Sequence, residues 1–153
     1  MAMKRLGLAL YAGVMVFALA ACAVPEKMSN APKTPEPVAL TASVLAGTEW
    51  TAFAIDGLAE VVSPKPKLRW DLSQRVSGTG GCNAFGASST VAGGSFRVGP
   101  LVPVGKMCLT LPGGQEDLFF KALELARQAH LEQDQLVLMD ASGKLVMRLF
   151  KTK

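Results

Sequence analysis

Residues 75–101 read RVSGTGGCNAFGASSTVAGGSFRVGPL. Short runs of small, branched and aromatic residues alternate here with glycine clusters, the pattern of strands joined by tight turns. Arg75 to Gly78 reads as a strand running into Gly78-Thr79-Gly80-Gly81, where a hairpin turn or a bulge is expected. Asn83 to Val91 and Ser95 to Leu101 read as two further strands, split by Ala92-Gly93-Gly94. A Gly-Gly pair suits the two-residue hairpin turn, whose central positions need positive φ.

The flanking sequence extends the pattern. Thr48 to Ile55 (TEWTAFAI) and Lys67 to Leu72 (KLRWDL) read as strands bounded by Gly57, Pro64 and Pro66. EDLFFKALELARQ, residues 116–128, is the one clear helix. Leu118, Ala122 and Leu125, flanked by Phe119, Leu123 and Ala126, form a wide apolar stripe, while Lys121, Glu124 and Arg127 face out. Glu116 and Asp117 in its first turn and Arg127 near its end suit the macrodipole. Gln135 to Met139 and Lys144 to Phe150, joined at Asp140-Ala141-Ser142-Gly143, read as a closing hairpin. Strands, one helix, then strands describe an α+β domain with a mainly antiparallel sheet.

The N-terminus bears on compartment. MAMKR precedes Leu6 to Val24, a run without a charged residue. That is the layout of a secretory signal, and a retained membrane anchor is the alternative. The run contains Leu19-Ala20-Ala21-Cys22, which resembles the lipobox of bacterial lipoproteins. It implies a signal peptide over residues 1–21 and a lipid on Cys22, hence attachment to a membrane. Ala23, in place of aspartate after that cysteine, implies outer-membrane delivery facing the periplasm in a Gram-negative cell. Residues 22–46, with Pro25, Pro32, Pro35 and Pro37, read as a lipidated cysteine followed by an extended tether. Residues 47–153 then form one domain.

The chain has 16 basic and 12 acidic residues. Without Lys4 and Arg5 the balance is 14 to 12, a net of +2, with no block of like charge. Nucleic acid is not an expected partner.

Cys82 has four readings. As a nucleophile it needs a nearby base, and the single histidine, His130, stands alone in a strand or strand entrance. As a metal ligand it needs partners at recognisable spacing, which Cys82, Cys108 and His130 do not offer. As half of a disulfide it needs one partner: with Cys22 assigned to lipid, Cys82 and Cys108 are the remaining pair, and the periplasm oxidises thiols. A pair of buried free thiols is the fourth reading. Gly78, Gly80 and Gly81 fit neither phosphate-binding glycine motif, and backbone geometry accounts for them better. No cofactor motif and no paired-carboxylate constellation is visible.

The combination of GTGGCNAFG, the GPL at 99–101, Met107-Cys108, the acidic-led helix and the final LVLMD-SGKLV stretch resembles the META/HslJ-like domain, as does Trp50 after Gly47-Thr48. The resemblance spans residues 47–150. It implies a strongly curved sheet, a partial barrel, with one main α-helix packed on it. It gives structural weight to Gly81, Cys82, Asn83, Phe85, Gly99, Pro100, Leu101, Met107 and Cys108. Family members are described as bacterial envelope proteins, frequently lipoproteins, linked to heat-shock induction and novobiocin resistance. No catalytic residues are established for the family. Where members carry T-R-M before the cysteine, this chain has Gly105-Lys106-Met107. The expectation is therefore a non-enzymatic, monomeric, lipid-anchored envelope protein in stress tolerance. The alternative is an inhibitor or binding module for another envelope protein, such as a hydrolase.

Overall fold

Short runs of alternating burial, several of them bounded by glycine, build much of the sheet. The computed structural model describes residues 38–105 and 108–153. In chain order the elements are β1 (Val38–Ala39), α1 (Ala42–Leu45), β2 (Glu49–Ile55), β3 (Lys67–Trp70), β4 (Arg75–Thr79), β5 (Ala84–Ala92), β6 (Ser95–Val98), β7 (Val102–Val104), α2 (Gln115–Leu125), β8 (Gln128–Glu132), β9 (Gln135–Met139) and β10 (Leu145–Lys151). Every strand pairing is antiparallel. The fold is α+β with one main helix, as expected.

The main path runs β1-β8-β6-β5-β4-β3-β2-β10-β9, and a β8–β9 pairing bends it into a ring. Closure between β6 and β8 is thin. Ser95 opposite Gln128 is the single register pair there, backed by Phe96 N–H to Arg127 O at 2.9 Å and Ala129 N–H to Gly94 O at 2.9 Å. The ring is therefore not a true barrel. Curvature is helped by irregularities in β10, whose register shifts at Arg148/Leu149 against β2 and at Leu145/Met147 against β9.

Alternation places Leu68, Trp70, Val76, Phe85, Ala87, Val91 and Phe96 inside the ring. The two indoles are satisfied: Trp50 Nε1 donates to Thr48 Oγ1 at 2.7 Å, and Trp70 Nε1 to Ser89 Oγ at 3.0 Å. Helix α2 touches β2, β6 and β10. Strands β2 and β6 stand on opposite sides of the ring, so the helix spans its width and Phe119, Ala122 and Leu123 fill it. Among the described residues no helix is long and apolar enough to cross a membrane.

Four expectations change in detail. The helix ends at Leu125 rather than Gln128, and Gln128 opens β8. Arg127 Nη1 instead donates to the Glu124 and Ala126 carbonyls at 2.6 and 2.8 Å, satisfying the helix end. The buried stripe is Phe119, Ala122, Leu123 and Ala126, while Leu125 is 54% exposed. The expected strand Ser95–Leu101 breaks at Gly99, which packs against Ser88, and resumes as β7. Finally, ordered packing starts before residue 47. Leu40 and Leu45 are fully buried, because Val38 to Leu45 (VALTASVL) carries apolar residues that the prolines before it obscure in a composition average. Cys22 and Met107 lie outside the described residues.

Candidate functional site

The chain between β4 and β5 must turn within Gly80 to Asn83, and Gly80 N–H closes it on Asn83 O at 3.0 Å. Gly81 takes a φ of +129°, and a Cβ there would sit 3.0 Å from Pro64 O, so both conformation and space call for glycine. This turn carries Cys82 outward and Asn83 inward. Cys82 forms a disulfide with Cys108, with Cα atoms 6.1 Å apart. That disposes of the nucleophile, metal-ligand and free-thiol readings together. The described contact of the His130 ring is Glu132, 2.9 Å from Nε2, and not either cysteine.

Beneath the disulfide, Asn83 is 6% exposed and almost saturated. Its Oδ1 accepts from Cys108 N–H at 2.5 Å. Its Nδ2 lies 3.0 Å from Cys108 O, 2.9 Å from Thr110 Oγ1 and 2.7 Å from Glu116 Oε2. An amide nitrogen has two hydrogens, so one is shared among these three acceptors. Glu116, in the first turn of α2, receives the rest. Its Oε1 accepts from the N–H groups of Cys82 at 3.1 Å and Asn83 at 2.6 Å, and its Oε2 from Thr110 Oγ1 at 2.8 Å.

Burial pushes the Glu116 carboxyl up, but the hydrogen bonds from Asn83 N–H, the Thr110 hydroxyl, Cys82 N–H and the Asn83 amide outweigh it and hold it below the ordinary glutamate value. A charged carboxylate engaged by four donors fastens rather than reacts. Three segments meet on it: the β4–β5 turn, the segment after β7, and the start of α2. Gly113 N–H to Asp117 Oδ2 at 2.7 Å and Lys121 Nζ to Asp117 Oδ2 at 2.8 Å complete the joint at the helix. What the joint leaves in water is apolar. Leu109 is 89% and Leu111 67% exposed, on either side of the anchored Thr110.

The other residues singled out from the sequence serve the frame. Phe85 packs edge-on to Phe119 and Phe120, with ring centroids 6.2 and 5.6 Å apart. Leu101 is half-buried and Pro100 exposed at the break between β6 and β7. Leu101, Pro103, Thr110 and Phe120 line a small cavity of about 220 Å³ that reaches Asn83. Glu116 was visible in the sequence only as a helix-dipole residue. The signal that could have found it is Asn83 itself, since a buried amide next to a half-cystine needs partners from elsewhere in the chain. Among the described residues no group of three or more His, Cys, Asp or Glu could hold a metal ion.

The family model described as META domain matches residues 43–153. The chain is also similar to a solved structure described as that of a protein from Burkholderia xenovorans, determined by NMR. The two share 23% identity at a TM-score of 0.56, covering 80% of this chain and 99% of that one. A second NMR structure shares 20% identity at a TM-score of 0.57, covering 72% and 94% respectively. These likenesses support the fold alone. A comparison with curated proteins finds no match.

Proposed function

This chain belongs to the META domain family, and from that premise we propose that it is a non-enzymatic, lipid-anchored protein of the bacterial envelope that acts in stress tolerance by binding. One observation carries the binding reading. A disulfide, a buried asparagine and a four-donor carboxylate immobilise a segment whose leucines face water. Holding a surface in place before contact lowers the ordering cost of association. The anchor rests on Leu19-Ala20-Ala21-Cys22 and its preceding basic and apolar stretches.

Two measurements test this reading. Radiolabelled palmitate is expected to label the full chain and not Cys22→Ser; equal labelling of the two sinks the anchor. A photo-crosslinking residue at position 109 or 111 is expected to capture an envelope component in cells, and one at Leu72, exposed but outside the clamp, is not. Equal capture from both positions removes the binding surface.

The exposed Leu109 and Leu111 also favour the second reading, an inhibitor or binding module for another envelope protein such as a hydrolase. Capture of one hydrolase, with loss of its inhibition in Leu109→Asp, would select that reading over a general role in stress tolerance.

A further inference from the structure

On the outer face of the sheet, opposite the core, an open trench of about 510 Å³ crosses β3, β4, β5 and β7. Its floor is made by residues that scarcely project: Ser77 and Gly86, which are register partners, and Ala84 beside them. At the β3 end its walls are Lys67 and Arg69, and at the β7 end Val104. The trench is thus cationic at one end and apolar at the other.

The charges at the β3 end can be accounted for one by one. Arg69 Nε pairs with Glu49 Oε1 at 3.6 Å. Asp71 Oδ1 accepts from Ser73 Oγ, Ser73 N–H and Arg75 N–H at 2.7–2.9 Å, which, led by the Ser73 hydroxyl, keeps its carboxyl below the ordinary aspartate value and charged. Lys67, Arg69 and Arg75 against Glu49 and Asp71 leave one positive charge in the lining. Among the described residues Lys67 makes no ion pair.

The span from β3 to β7 is three inter-strand spacings, about 14 Å at ~4.8 Å each. On the same strand Val102, the register partner of Gly86, is exposed as well.

We propose that this trench binds a single-chain amphiphile with a monoanionic head, its head at Lys67 and its acyl chain laid over Ala84 and Gly86 toward Val104. Charge complementarity selects the head, and the flat floor with its apolar far end selects the chain. The site lies on the sheet face, distinct from the Leu109–Leu111 surface, and does not depend on the binding role given to that surface.

The two glycines of the trench permit a clean test. A Cβ on Gly78 would run into the Lys67 carbonyl, so that position cannot be filled without moving the sheet. A Cβ on Gly86 meets only Val104 Cγ2, at 4.0 Å, and its φ is not in the left-handed region. Gly86→Val therefore fills the trench at a strand position that favours valine.

The full chain, in a neutral maltoside detergent at a concentration common to all arms, is titrated with laurate and followed by amide chemical shifts of Ser77, Ala84 and Gly86. Saturable shifts are expected with laurate, at least tenfold weaker affinity in Gly86→Val and in Lys67→Ala with unchanged thermal midpoints, and no saturation with acetate. Dodecyltrimethylammonium is expected to leave the three amides unmoved. Equal laurate affinity in Gly86→Val, or equal shifts with the cationic amphiphile, overturns the proposal. Response only to vesicles of phosphatidylglycerol in phosphatidylcholine, and not to laurate, overturns it in favour of a membrane-surface contact.

Discussion

Glu116 decides how the clamp responds to substitution and to pH. Removing its carboxylate strands the N–H groups of Cys82 and Asn83 and the Thr110 hydroxyl, so Glu116→Ala is expected to cost about 1–3 kcal/mol in denaturant unfolding. The sign of the pH effect follows from a folded-state pKa held below the unfolded value, which is about 4.3 for glutamate. Its contribution is complete above that value and is lost as pH falls through the lower folded-state pKa. Asp71, Asp117, Glu132 and Asp140 are shifted in the same direction. Unfolding midpoints measured between pH 7 and pH 3 should therefore fall in the native chain and fall less, but still fall, in Glu116→Gln. Gly78 supplies a steric counterpart. Its missing Cβ is what lets β4 lie against the Lys67 carbonyl of β3, so Gly78→Ala should cost roughly 1–3 kcal/mol, while Gly86→Ala should be within about 0.5 kcal/mol of the native chain. At this scale the sequence was partly legible. Gly81, Cys82, Cys108 and the Gly93-Gly94 turn, with φ of +56° and +84°, could be read because each answers to a local rule. Glu116 could not, because its four donors come from residues 6 to 34 positions away and no local pattern encodes them.

Among the elements, the disulfide joins the β4–β5 turn to the segment between β7 and α2, closing a loop across a sequence separation of 26. In the chain-entropy account that closure contributes about 3.5 kcal/mol. Cys82→Ser/Cys108→Ser should lower stability by about that amount in non-reducing buffer, and dithiothreitol should lower the native chain to the same level. The double variant should also loosen Leu109 and Leu111, seen as faster amide exchange across 108–114 with little change in β2 and β10. Strands with alternating burial, β3 and β4 among them, were readable from their two-residue period. Strand β7 was not, because its three residues are all exposed and a proline sits at its centre. The helix is legible, and Leu118 packs half-buried against the core, but Leu125 of the expected stripe turns to solvent. The ring interior accepts the face of Phe119 and Leu123, and which apolar face wins is fixed by strands far along the chain.

For the molecule as a whole, resistance to unfolding should be uneven around the ring. The β2–β10 pairing extends over five register pairs, whereas β6 meets β8 at one. Hydrogen exchange in native buffer should therefore release the amides of Phe96 and Ala129, which bridge that seam, before those of Leu149 and of Asp56, which donates to Val146 O of β10 at 3.0 Å. Simultaneous release of all four would mean that the seam opens only by global unfolding. The fold class was readable because element order constrains topology, but ring closure was not. It depends on two hydrogen bonds and one register pair between segments more than thirty residues apart.

Strand β1 lies against β8 directly beside that seam, with Val38 opposite Leu131 and Ala39 opposite His130, and Leu40 O accepts from Gly94 N–H at 3.3 Å. The chain thus enters the domain at the place where the ring is joined. Mechanically, tension arriving from the N-terminal side loads the clasp of the ring before it loads the hoop. A tug on this protein would part β1 from β8 and then strain the β6–β8 joint, while β2, β10 and the disulfide-clamped turn stay slack.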